Sequence, residues 1–148
     1  MPNSKEKWIL VADSENARLL ACATTAHGRA HFDEKAKLRT TFVPGEHQRP
    51  SQLARGHSSH ASFSHEQEEK LAHFAREVST WLGKELDGRK IAQCVVFAPA
   101  RFLGALRKEV GKGLAGKLVE REGEITQLTA GQLAEHRSVL AELASLPD

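Results

Sequence analysis

No stretch of this 148-residue chain approaches the ~18 consecutive apolar residues of a membrane-spanning helix, and no membrane insertion is expected. Cysteine is scarce: Cys22 and Cys94 cannot make a disulfide framework, and both sit inside apolar runs, the usual setting of a buried free thiol. Aromatic residues are only 5% of the chain and fall mostly in apolar runs, which argues against a stacking platform for single-stranded bases. Charge of one sign is lacking as well. Lys and Arg number 21 against 19 Asp and Glu, a formal net charge of +2.

The remaining composition is ordinary. Hydrophobic residues at 40% and charged residues at 27% are close to the values of soluble globular domains, which excludes collagen-like and wholly disordered chains. The length suits a single domain over residues 1–148 with a real core. The apolar run Trp8–Ala12 is too short for a signal-peptide core, and no small-residue cleavage site follows it, so the cytoplasm is the expected compartment.

Lys7–Asp13 is a nearly continuous apolar run, the pattern of a strand covered on both faces. Ser14-Glu15-Asn16 supplies turn chemistry, and Ala17–Thr25 forms a second apolar run, so the two read as a hairpin. In a third strand Ala36, Leu38, Thr40 and Phe42 alternate with Lys35, Lys37, Arg39 and Thr41. Pro44-Gly45 ends that strand. A loop rich in Gly, His and Arg then runs over about 44–63, longer than the ~12–15 residues under which most loops stay. Ser64-x-x-Gln67 has the form of a capping box opening a helix.

That helix carries an apolar stripe of Leu71, Phe74, Ala75, Val78, Trp81 and Leu82; Gly83 loosens its end and Asp87-Gly88 turns the chain. Ile91–Ala98 reads as a buried strand stopped by Pro99, and the long intervening helix implies a crossover into a mixed sheet. A helix from about Ala100 places Phe102, Leu103, Leu106 and Val110 on one face. A second short helix among Gly111, Gly113 and Gly116 and a weak strand at Leu118–Arg121 follow. Thr129-x-x-Gln132 repeats the capping-box form and opens a last helix with Leu133, Leu140 and Leu143 inward. The expected fold is α/β: a mixed sheet with an N-terminal antiparallel meander, then βα units, with packed helices.

Motifs of catalysis are sparse. His57-x-x-His60, with His65 and His73 nearby, raises a metal reading. The pair lies in a loop without rigid i,i+4 geometry or a nearby cysteine, so solvated histidines are preferred and no metal is assigned. Asp13 can be read as a metal ligand or base, or as an ordinary strand-end turn residue, the preferred reading. No G-x-S-x-G elbow and no Walker A loop are present. The charge distribution says more. Between Pro99 and Arg121 the cations Arg101, Arg107, Lys108, Lys112, Lys117 and Arg121 face only Glu109 and Glu120. The third strand adds Lys35, Lys37 and Arg39, and the loop adds Arg49 and Arg55. Such Lys/Arg clusters are the usual contacts of phosphate-rich partners, although a solvated basic face is the competing reading.

The string Ala98-Pro99-Ala100-Arg101-Phe102-Leu103-Gly104-Ala105-Leu106-Arg107 resembles the signature of the bacterial host-attachment protein family, described as required for attachment to host cells. The opening Trp8–Asp13 strand, Asn16-Ala17-Arg18-Leu19-Leu20, the Gly/His/Arg-rich loop and Phe74-Ala75-Arg76-Glu77 support the resemblance over most of the chain. That family in turn resembles the central domain of archaeal and eukaryotic peptide-release factors, which implies a ribonuclease H-like α/β fold. In those factors the loop before the long helix carries Gly-Gly-Gln. The corresponding stretch here is Arg55-Gly56-His57-Ser58-Ser59-His60, and no Gly-Gly-Gln occurs. Of a ribonuclease H carboxylate set, only Asp13 has a matching position. In the Ala98–Arg107 string, Pro99 ends the strand, Phe102, Leu103 and Leu106 anchor the helix, and Gly104 permits close packing.

Together these features imply a non-enzymatic binding module linked to ribosomal RNA or the translation machinery, without a cofactor. Arg49, Arg55, His57 and His60 in the loop and Arg101 and Arg107 at the strand-to-helix corner are the expected binding residues. A protein partner, in a factor promoting attachment to host cells, is the alternative. A metal-dependent hydrolase or nuclease using Asp13, His57 and His60 ranks last, because no constellation fixes a nucleophile, a base and an oxyanion donor together.

Overall fold

The computed structural model describes residues 7–24, 29–42 and 59–146, with residues 59–64 described by their backbone alone. Five strands form one sheet in the order β3-β2-β1-β4-β5: β1 Lys7–Ala12, β2 Asn16–Thr24, β3 Ala30–Arg39, β4 Cys94–Ala98 and β5 Leu118–Glu122. The first three are antiparallel neighbours, while β4 pairs parallel with both β1 and β5. This is the expected meander followed by βα units in a mixed α/β sheet.

The continuous apolar runs occupy the centre of the sheet because both faces are covered. On one face Leu10, Ala12, Leu19, Cys94, Val96 and Ala98 meet α1 (Ser59–Arg89) and α2 (Ala100–Glu109). On the other, Ile9, Val11, Leu20, Val95 and Phe97 meet Leu133 of α4 (Ala130–Leu133) and Val139 and Leu143 of α5 (Arg137–Ala144). The short α3, Lys112–Ala115, links α2 to β5.

Asp13 makes the β1–β2 turn. Its Oδ1 accepts from the backbone N–H of Glu15 at 2.8 Å and of Asn16 at 2.7 Å, an Asx turn. The third strand departs from simple alternation. It starts at Ala30, and its pairing with β2 slips by one residue: Leu19 faces Ala36 but Leu20 faces Glu34, leaving Lys35 as a bulge. The slip switches faces, so Phe32 enters the core on the α4–α5 side while Ala36 and Leu38 pack on the α1 side. Without a bulge these even-numbered residues would all lie on one face. Thr40 and Phe42 lie beyond the strand. The Glu77 carboxylate of α1 holds this exit, accepting from the Thr41 hydroxyl at 2.6 Å and the Thr40 hydroxyl at 3.2 Å.

Helix α1 begins at Ser59, so the helix already covers the Ser64-x-x-Gln67 box expected to start it. No Gly or Pro lies between Ser59 and Leu82 to stop the helix propagating backwards. It also runs through Gly83 to Arg89. Its end is a Schellman motif: Ile91 N–H donates to Leu86 O at 2.9 Å and Lys90 N–H to Asp87 O at 3.1 Å. Lys90 occupies the left-handed position with φ of 57°, where glycine is usual. The buried side chains of Leu86 and Ile91 close the motif within the core.

The expected last helix is two helices. The Thr129–Gln132 capping box opens α4 as read, but α4 is a single turn. His136 then caps α5, its Nδ1 accepting from Val139 N–H at 3.3 Å. Val139 and Leu143 are consequently the buried residues of α5, while Leu140 is only partly buried. No helix among the described residues is long and apolar enough to cross a membrane.

Candidate functional site

From β1 the chain goes to one side of the sheet to make β2 and β3, then crosses through α1 to the other side to make β4 and β5. The β1/β4 boundary is therefore a topological switch point, where open α/β sheets place ligand crevices beyond the carboxyl ends of their strands. A crevice of about 340 Å³ lies there, bordered by Asp13 after β1, Arg101 and Phe102 after β4, Glu124 after β5, and Gln67 of α1.

Local sequence explains the position of Arg101. Pro99, extended at φ −62° and ψ 151°, ends β4 and starts α2. The next helical turns bury Phe102, Leu103 and Leu106, with the Phe102 ring 5.7 Å from that of Phe74. Arg101 is then left on the exposed side of the first turn. It also borders a second cavity of about 760 Å³ between α1 and α2, shared with Leu71, Ala72, Gly104, Arg107 and Lys108. Among the described residues Gly104 does not serve close packing: a Cβ added there would meet none of their atoms within 4 Å. Among the described residues that part of α2 faces the open groove.

The ion pairs sort the basic residues. Arg107 binds Glu120 at 2.8 Å, Lys117 binds Asp87 at 3.0 Å, and Arg121 binds Glu142 at 2.5 Å. Lys35 pairs with Asp33 at 3.0 Å. Among the described residues, Arg101, Lys108 and Lys112 have no carboxylate partner. Of the expected binding residues, the structure thus brings Arg101 and Arg107 to one groove. Arg49, Arg55 and His57 lie outside the described residues, and His60 is placed on the first turn of α1 by its backbone alone.

Asp13 is a turn residue with its carboxylate fully engaged. Besides the two backbone bonds to Oδ1, its Oδ2 accepts from the Thr126 hydroxyl at 2.5 Å. Among the described residues no three His, Cys, Asp or Glu side chains come together as a metal site. Cys22 and Cys94 are buried free thiols, as read. Burial pushes the Cys94 thiol up to about 12 and raises that of Cys22. The single Gly-Gln dipeptide of the chain, Gly131-Gln132, lies in the capping box of α4, where the Gln132 side chain accepts from Thr129 N–H at 2.9 Å.

Two features escaped the sequence. His73 and Glu77, one turn apart on α1, meet Thr41, whose hydroxyl lies 3.0 Å from His73 Nε2; the i,i+4 spacing was the available signal. Arg18 crosses from β2 to the connection after β5, where its guanidinium donates to the carbonyls of Thr126 at 2.8 Å and Leu128 at 2.6 Å. Nothing local in the sequence marks that contact.

Residues 6–136 match the bacterial archaeo-eukaryotic release factor family 12, and the chain belongs to that family. No curated protein sequence matches it significantly. Among solved structures, the archaeal translation termination factor aRF1 is similar at 15% identity and a TM-score of 0.46, over 96% of this chain and 35% of that one. An Aquifex aeolicus Ppx/GppA phosphatase is similar at 11% identity and a TM-score of 0.36, over 79% of this chain and 35% of that chain. An exopolyphosphatase from Cytophaga hutchinsonii is similar at 9% identity and a TM-score of 0.38, over 80% and 34%. The chain thus spans about a third of the length of each.

Proposed function

We propose that this release-factor-family chain is a non-enzymatic, cytoplasmic binding module that contacts ribosomal RNA within the translation machinery. The observation that carries the reading is Arg101, a cation without a carboxylate partner among the described residues and bordering both the switch-point crevice and the α1–α2 groove. Lys108, two turns further along α2, extends the same positive wall. Unpaired cations of this kind are the groups that phosphates engage with release of counterions. Arg107 is the supporting contact, oriented through Glu120, and Arg49, Arg55 and His57 ahead of α1, with His60 on its first turn, are proposed to reach the same partner.

Co-sedimentation of the purified protein with ribosomes across a salt series tests this. Binding that weakens with salt and falls when Arg101 and Lys108 are replaced by Ala is the expected result. Absence of binding at low salt overturns it.

A protein partner is the second reading, favoured by Gly104, whose open position in the α1–α2 groove leaves room for an approaching side chain. In either case attachment to host cells is proposed as a downstream effect. Detection of the protein outside the cytosolic fraction would oppose that.

A further inference from the structure

A third cavity, of about 800 Å³, lies between the β2–β3 ladder and the connection at 126–129, on the sheet face opposite α1 and α2. We propose that it is a separate phosphate-binding cleft, in which Lys37 and Arg39 take phosphodiester groups of a single-stranded RNA segment. The choice of RNA rests on the reading above; the cleft does not involve Arg101.

The bulge at Lys35 creates the arrangement. It turns the later part of β3 so that Ala36 and Leu38 face α1, which leaves Lys37 and Arg39 together on the other face. Lys37 stands directly opposite Arg18 in the ladder, but Glu34 neutralises Arg18 and not Lys37. Arg18 cannot turn away, because Glu34 at 2.8 Å and the carbonyls of Thr126 and Leu128 hold it. An anion between Lys37 and Arg39 would meet two cations that no carboxylate among the described residues neutralises.

The acids at the cleft do not supply that anion. Glu34 is bound by Arg18, and both oxygens of Asp13 are occupied by the Glu15 and Asn16 amides and the Thr126 hydroxyl. Among the described residues, neither Lys37 nor Arg39 has a carboxylate partner. The opposite wall carries Gln127 and Thr129, uncharged groups able to donate to phosphate oxygens. No aromatic side chain borders the cleft to anchor a peptide or to stack a base, so binding there rests on the phosphates alone, which favours a nucleic-acid backbone over an acidic protein segment.

The test is binding of a short, fluorescently labelled single-stranded oligouridylate to the full chain across a salt series. Wild-type protein binds with salt-dependent affinity. The Lys37→Gln/Arg39→Gln double variant binds more weakly at low salt, and its slope of log K against log salt is shallower by about 1.4, from ~0.7 per lost phosphate contact. Each single variant gives about half that change, which retains the test if the double variant does not fold. Unchanged affinity and slope in a folded variant overturn the cleft, as does tighter binding of a polyglutamate peptide than of oligouridylate. Binding that responds to Arg101→Ala but not to the double variant overturns the cleft alone. No oligouridylate binding by the wild type overturns the cleft, and failure of ribosome co-sedimentation as well overturns the RNA reading.

Discussion

The Thr126 hydroxyl donates to Asp13 Oδ2 at 2.5 Å, tying the end of β1 to a segment 113 residues later in the chain. Asp13 Oδ1 meanwhile holds the hairpin turn, so one carboxylate fixes both the first connection of the fold and one of the last. Asp13→Ala should destabilise the protein by about 2–3 kcal/mol and Thr126→Val by about 1 kcal/mol. Denaturant unfolding of both singles and the double would show coupling between them. Additive effects would mean that the contact contributes nothing to stability.

The left-handed Lys90 lacks the residue best suited to its backbone. Lys90→Gly relieves the steric cost of φ 57° and keeps the Schellman hydrogen bonds. A gain of about 0.5–1 kcal/mol is expected in thermal or denaturant unfolding. Lys90→Val should lose more than that.

Burial of Cys94 has two measurable consequences. The thiol, raised from its ordinary 9.0 to about 12, should resist thiol-specific reagents at pH 8 until the chain unfolds. Because the folded state keeps this proton where the unfolded chain releases it, stability falls as pH rises from about 9 towards 12. The slope is at most ~1.4 kcal/mol per pH unit for this group. Cys94→Ala should flatten that part of the profile.

Deletion of Lys35 tests the bulge. With the bulge residue gone, strand alternation would force either Phe32 or the pair Ala36 and Leu38 onto the wrong face. A loss of more than about 3 kcal/mol is expected. Lys35→Gly keeps the residue count and should change stability by less than about 1 kcal/mol. Comparison of their denaturation midpoints separates the register from the side chain.

The sequence makes the core legible wherever burial is continuous. Ile9–Ala12 and Cys94–Ala98 are buried throughout, and Phe102, Leu103 and Leu106 turn inward at the expected helical spacing. Arg101 follows from the same spacing. What was hidden depends on contacts between distant residues. The bulge interrupts an alternation that continues unbroken in the sequence, and His136 breaks a helix without glycine or proline. The partners that neutralise Arg107 and Arg121 lie 13 and 21 residues away, so a run of basic residues overstated the charge available to a ligand.

The described sheet also limits how a partner can join it. Its edges are β3, which carries Asp33, Glu34, Lys35, Lys37 and Arg39 and is bent by the bulge, and β5, a short strand with Glu120, Arg121 and Glu122. Charge, brevity and distortion are the devices that stop another chain from adding a strand. Neither described edge is therefore suited to backbone pairing with a partner. A partner would instead have to be met by side chains at the carboxyl rim and in the grooves, where one substitution can alter affinity and leave the sheet intact.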